Sequence, residues 1–223
     1  MKTKFKIKTF LSAILALVSF YVSGQIQTVK IGQQTWTTEN LNVNKFRNGD
    51  LIKQAKSNRK WKKAGRRHKP AWCYYENKTK NGSTYGKLYN WYAVKDPRNI
   101  APVGFHMPSD SEWMKLTEYL GGEDIAGQKM KAVNGWKAHI NNFSNGNNKS
   151  GFMGLPGGYR YINGTFFYIS SFGYWWSGTE DDNSNAWYRD MSYNKSNASR
   201  DINSKRNGLT PEKLCKDFIH RRF

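Results

Sequence analysis

The stretch GFHMPSDSEWMKLTEYLGG, residues 104–122, carries the densest set of folding signals in the chain. Ser109 follows Pro108 and is placed to accept hydrogen bonds from the free N–H groups that open a helix. Glu112, three residues later, can reach back to the Ser109 N–H, which makes a capping box. Trp113, Leu116, Thr117 and Leu120 recur at helical spacing and predict one largely apolar face, so Trp113 is expected in the core. Gly121 and Gly122 supply the left-handed backbone that stops the helix. A capped, one-sided helix has to be packed against something, and the rest of the chain must provide that surface.

What it provides is rings. Mean hydropathy is −0.81, low enough to suggest disorder, yet Phe, Trp and Tyr make up 15% of residues. Large aromatic side chains can build a core where Leu, Ile and Val are scarce. Abundant Gly and Asn supply turns.

The first 24 residues read as an address rather than as fold. Lys2, Lys4, Lys6 and Lys8 precede the apolar run TFLSAILALVSFYVSG, which ends in small residues. This is the pattern of a secretory signal, with cleavage expected before Gln25 and an exported chain without a transmembrane segment as the product. The 199 residues that follow, 25–223, suffice for one core and read as a single domain. Removing the four signal lysines from 36 basic residues leaves 32 against 16 acidic. Nine of these lie in Lys53–Lys69, KQAKSNRKWKKAGRRHK, which contains no acid and no apolar period. It reads as an exposed basic loop.

Elsewhere the chain alternates short strands and turns. QTVKIGQQTWTT predicts a hairpin turning at Gly32, and a short strand falls around Cys73–Tyr75, followed by a turn at Asn81-Gly82. A second helix is predicted from Glu123 to Val133, with acids at its start and Lys129 and Lys131 at its end. Asn163-Gly164 marks one late hairpin, and the acidic turn Glu180–Asn183 a second. Strands early, two short helices in the middle and strands late make an α+β fold with short twisted antiparallel strands and long loops.

The blocks VKIGQQTWTTENLN, WCYYEN, YGKLYNWYAV, APVGFHMPSDSEWMKLTEYLGG, GFMGLPGGYRY and YWWSGTE…AWYRDM together resemble the Fibrobacter succinogenes major paralogous domain family, in order, from about Val29 to Gly208. GFHMPSDSEW followed by WWSGT is more remotely similar to formylglycine-generating (sulfatase-modifying factor) domains, and that resemblance implies a C-type-lectin-like scaffold. The family's usual ending is a Gly-Phe-Ser-Val-Arg-Cys-like strand. Here NGLTPEKLCKDFIHRRF stands in its place, so residues 209–223 form an atypical tail with Pro211 interrupting the strand.

The residues suggest few chemistries. No Gly-x-Ser-x-Gly, His-Glu-x-x-His or phosphate-cradling loop occurs. Formylglycine-generating enzymes hold copper with paired cysteines near the domain end, whereas here only Cys215 lies there and Cys73 is far upstream. An oxidase of that type is therefore the alternative reading, and a non-catalytic protein without cofactor the expected one. In an exported chain an even pair of cysteines defaults to a disulfide, so a Cys73–Cys215 bridge is expected. His68, His106, His139 and His220 are scattered singly and predict no metal site, and Glu180–Asn183 reads as a solvated turn rather than a calcium loop. Trp91, Trp175, Trp176 and Trp187 are candidates for stacking on sugar rings, although the core needs the same rings. Trp175 and Trp176 are strand neighbours and must face opposite ways, which leaves one of them free to be exposed. Lys60, Trp61, Lys62, Lys63, Arg66 and Arg67 form the candidate polyanion site, the plainer reading being a solvated loop. Export makes polysaccharide or another extracellular polyanion the expected partner rather than intracellular nucleic acid. The expectation is an exported binding or adhesion protein at the cell envelope.

Overall fold

The structure is a computed structural model that describes residues 26–139, 145–209 and 213–217. The expected signal segment 1–24 lies outside the described residues, as does Pro211. The chain runs β1 (Thr28–Ile31), β2 (Gln34–Thr37), β3 (Lys53–Gln54), α1 (Asn58–Arg66), β4 (Ala71–Cys73), α2 (Thr79–Tyr85), β5 (Leu88–Asn90), α3 (Trp91–Val94) and β6 (Phe105–His106). It continues α4 (Asp110–Tyr119), α5 (Glu123–Met130), β7 (Tyr159–Arg160), β8 (Phe166–Phe167), β9 (Phe172–Glu180), β10 (Asn185–Ser192), β11 (Ser199–Ser204), β12 (Gly208–Leu209) and β13 (Cys215–Lys216). The fold is mixed α+β. Among the described residues no helix is long and apolar enough to cross a membrane.

Three sheets carry the strands, in the orders β1-β2-β13-β6, β11-β10-β9 and β3-β4-β5-β12-β7-β8. The predicted hairpins form: β1 and β2 turn at Gly32, whose φ of 60° suits glycine, β7 pairs with β8, and β9 with β10. Three expectations need correcting. One contact, β3 with β4, is parallel rather than antiparallel. Five α-helices occur among the described residues instead of two. Asn81-Gly82, expected as a turn, lies inside α2, where the Tyr74 ring crosses so close that a Cβ on Gly82 would meet it at 2.1 Å. Glycine is needed there for room, not for turning.

The capped helix forms as predicted over Asp110–Tyr119, with both arms of the Ser109–Glu112 box made. Its inward face meets the centre of the core. Trp113 and Leu116 are fully buried, and Leu120 nearly so. The Trp113 ring lies 5.0 Å from Trp36 and 5.7 Å from Phe152, and Phe152 in turn lies 6.2 Å from Trp175. At its start, Asp110 binds Arg189 of β10 at 2.8 Å and Arg200 of β11 at 2.9 Å. Two guanidiniums outweigh the cost of burying this carboxylate and hold its pKa below the ordinary value. In α5 the acids open the helix as expected. Lys129 lies in the last turn, while Lys131 is the C-cap through its backbone N–H to the Gly127 carbonyl, and its buried side chain donates away from the helix to the Ser192 and Lys195 carbonyls.

Leu116→Ala is expected to cost roughly 2–5 kcal/mol in chemical denaturation. A loss under about half a kcal/mol, the range of surface substitutions, would mean that this helix face is not packed.

Candidate functional site

The basic segment is not a loop. Ser57 accepts a hydrogen bond from the Lys60 N–H, and α1 follows over nine residues. Lys63 and Arg66 fall in the last turn, where they complement the helix dipole. Only Trp61 and Gly65, one turn apart, face inward. Trp61 is 1% exposed and packs with Ala55, Ala71, Cys73, Tyr75 and Leu88. It therefore belongs to the core and leaves the candidate ligand set.

A buried arginine fixes the helix in place. Arg160, at the end of β7, donates to the Gly164 carbonyl at 3.0 Å, the Ala55 carbonyl at 2.7 Å and Asn58 Oδ1 at 3.1 Å. Its guanidinium also lies 4.9 Å from the Trp61 ring and 4.7 Å from Phe166. Hydrogen bonds and ring contacts satisfy the charge without an acid.

Outward, all nine cations of Lys53–Lys69 are exposed, and among the described residues none forms an ion pair. Lys53, Lys60, Lys63, Arg67 and Lys69 rim a groove of about 490 Å³ whose floor includes Ala55, Ala64 and Ala71. Arg59 and Arg66 flank a second depression shared with Lys63 and Arg67. This arrangement concentrates positive potential on one side of α1 and offers an apolar floor to whatever lies between the charges.

The proposed sugar-stacking tryptophans do not present faces to solvent. Trp175 and Trp176 do point to opposite sides of β9, but both sides are covered: Trp175 joins the cluster around Trp113, Trp176 the one around Leu209. Trp91 and Trp176 are buried and donate to the Ser177 and Tyr89 carbonyls at 2.9 and 3.1 Å. Trp187 is half-buried and has the Arg200 guanidinium 3.5 Å from its ring. Among the described residues the exposed aromatic rings are Tyr119 on α4 and Tyr161, Phe167 and Tyr168, on and just beyond the β7–β8 hairpin. That hairpin adjoins α1, since a Cβ on Gly164 would meet Asn58 at 2.7 Å.

The cysteine expectation fails. Cys73 and Cys215 are both free and buried, in different sheets and different core clusters. A disulfide requires Cα atoms within about 7 Å, and counting cysteines says nothing about that. Burial pushes the Cys73 thiol up to about 11, which disfavours the thiolate.

A second group of residues was not singled out by sequence. The His106 imidazole bonds Glu112 Oε1 through Nε2 and Asp217 Oδ1 through Nδ1, each at 2.7 Å. Cys215 lies across the β6–β13 ladder, with its sulfur within 4.8 Å of the His106 and Glu112 ligand atoms. The nearby Cys215 sulfur first, then the bonds to Glu112 and Asp217, push the imidazole up to about 11. Burial alone would raise the Glu112 carboxyl, but bonds from His106 and Ser109 hold it down at about 2. The capping box grips only Glu112 Oε2, which leaves Oε1 for the imidazole. The cluster opens on a cleft of about 440 Å³ lined also by Lys95, Met107 and Thr179. The acidic turn, by contrast, is internally satisfied: Asp182 accepts from the Ser184 and Asn185 N–H groups, and Glu180 bonds Lys205.

The sequence model of the Fibrobacter succinogenes major domain matches residues 29–212. The chain belongs to that family. No curated protein and no solved structure shows a significant match to it. In this member of the Fibrobacter succinogenes major domain family, β13 forms despite the unusual ending, pairing Cys215 with both Trp36 and His106.

Two outcomes check these placements. Denatured without reductant, the protein should release two titratable thiols, where a disulfide would release none. Trp61→Ala should cost roughly 3–5 kcal/mol as a large-to-small core change. Lys62→Gln, one position on, should stay within about half a kcal/mol.

Proposed function

We propose that this chain is an exported, non-catalytic binding protein of the cell envelope, built on a C-type-lectin-like scaffold, whose basic helix holds acidic polysaccharide. The observation that carries the reading is the set of nine exposed cations without acid partners, five of them around one groove. Charges left unpaired at a rigid helix repel one another, and a polyanion relieves that repulsion while releasing its own counterions. The helix supports this role better than a loop would, because the cations are ordered before the ligand arrives and less entropy is lost on binding.

Polysaccharide is favoured over lipid phosphate or DNA by the neighbouring rings. Tyr161, Phe167 and Tyr168 are 39%, 36% and 52% exposed and lie on or just beyond the hairpin whose Gly164 meets the start of α1. Aromatic faces suit the C–H surfaces of pyranose rings, and the cations suit carboxylate or sulfate substituents.

Replacing Lys60, Lys62, Lys63, Arg66 and Arg67 together with Gln is expected to abolish retention on heparin or a uronate polymer at low salt. For the unaltered protein, binding should weaken steeply with ionic strength, with about 10³–10⁵-fold between 50 and 200 mM salt as the DNA-like upper reference. The Gln variant should keep its far-ultraviolet spectrum, because all five side chains point outward. Neutral dextran should not bind either form. Equal affinity of variant and unaltered protein for the acidic polymer at one salt concentration would refute the assignment.

A further inference from the structure

We propose that His106, Glu112 and Cys215 bind a divalent transition metal of the zinc class, with Asp217 orienting the imidazole from its far side. One ligand atom from each of the three residues lies within 4.8 Å of the others. Tetrahedral zinc with Zn–N and Zn–O near 2.0–2.2 Å and Zn–S near 2.3 Å needs separations of about 3.5 Å, so the widest pair would close by up to about 1.3 Å and the His106–Glu112 pair, now at 2.7 Å, would open. An imidazole, a thiolate and a carboxylate form a donor set of mixed softness that suits zinc better than calcium or magnesium.

The surroundings are those of a metal centre rather than of a chance cluster. His106 Nδ1 already engages Asp217 at 2.7 Å, which is the second carboxylate that fixes ring orientation in histidine–metal sites. That leaves Nε2, now bonded to Glu112 Oε1, as the metal-facing nitrogen. Glu112 is anchored through its other oxygen by the Ser109 N–H and hydroxyl, each at 2.8 Å, so the carboxylate is preset and little order is lost on binding. Cys215 is 1% exposed and is placed by its ladder pairing with His106. His106 and Glu112 line the open cleft, which provides an entry path and room for a fourth, exchangeable ligand. Binding displaces the thiol proton and one imidazole proton to solvent and changes no oxidation state.

Cobalt(II) titration of the purified, chelator-treated protein tests this. The expected result is one equivalent bound, a thiolate-to-cobalt charge-transfer band in the near ultraviolet, and displacement by zinc. Cys215→Ser should lose the band and Cys73→Ser should keep it. Asp217→Asn should weaken binding about 10–100-fold. Glu112→Gln preserves the capping geometry, since glutamine also serves at that position, and should weaken cobalt binding at least tenfold. It therefore carries the test if Cys215→Ser fails to fold. Less than stoichiometric cobalt uptake at micromolar concentrations, a band that survives Cys215→Ser, or unchanged affinity in Glu112→Gln would each overturn the proposal. Polyanion retention by the same samples reports on α1 independently, so the two readings stand or fall separately.

Discussion

The contact between Trp113 and the Trp36–Phe152 pair joins parts of the chain that have no other reason to meet. Trp36 comes from β2, Trp113 from α4, Phe152 from the long connection after α5, and Trp175 from β9. Their ring centroids lie 5.0–6.2 Å apart in tilted and edge-on arrangements. Such geometry suits aromatic quadrupoles and fills space that a chain poor in branched aliphatics could not otherwise fill. Once α4 is seated on that cluster, Asp110 at its start meets Arg189 and Arg200, and Glu112 meets His106. Packing thus sets the positions of the charges.

How much of this could be read in advance depended on whether the signal was local. Ser109, Glu112 and the Gly121-Gly122 pair lie within a few residues of what they control, and α4 is where they put it. Gly32 and Asn163-Gly164 marked their hairpins for the same reason. Helix α1 was misread because two inward residues, Trp61 and Gly65, do not make a visible period among nine cations. Its real anchor is Arg160, about a hundred residues away. The sugar-stacking reading assumed that β9 has a free face, whereas clusters cover both. The His106 cluster joins residues separated by up to 111 positions and depends on β13 lying beside β6, which no spacing rule reveals.

The two candidate sites also differ in how the protein meets the cost of charge. Around α1 the cations stay in water, and only the uncharged side of the helix is buried. Within the fold, Arg160, Arg189 and Lys131 are buried, each satisfied by carbonyls, a carboxylate or ring faces. Buried groups of this kind are held in one geometry, while surface charges remain available to a ligand.

The position of β13 has a further consequence for how the chain reaches its native state. This two-residue strand is the last described in the chain, yet it lies inside its sheet, between β2 and β6. Its Cys215 faces Trp36, so a central rung of the ladder joins segments 179 positions apart. Until those late residues emerge, β2 and β6 present unpaired edges and the Trp36 side of the core lacks its cover. Assembly therefore waits for residues far along the chain, with a slow, non-local closing step and a period in which open edges invite mispairing.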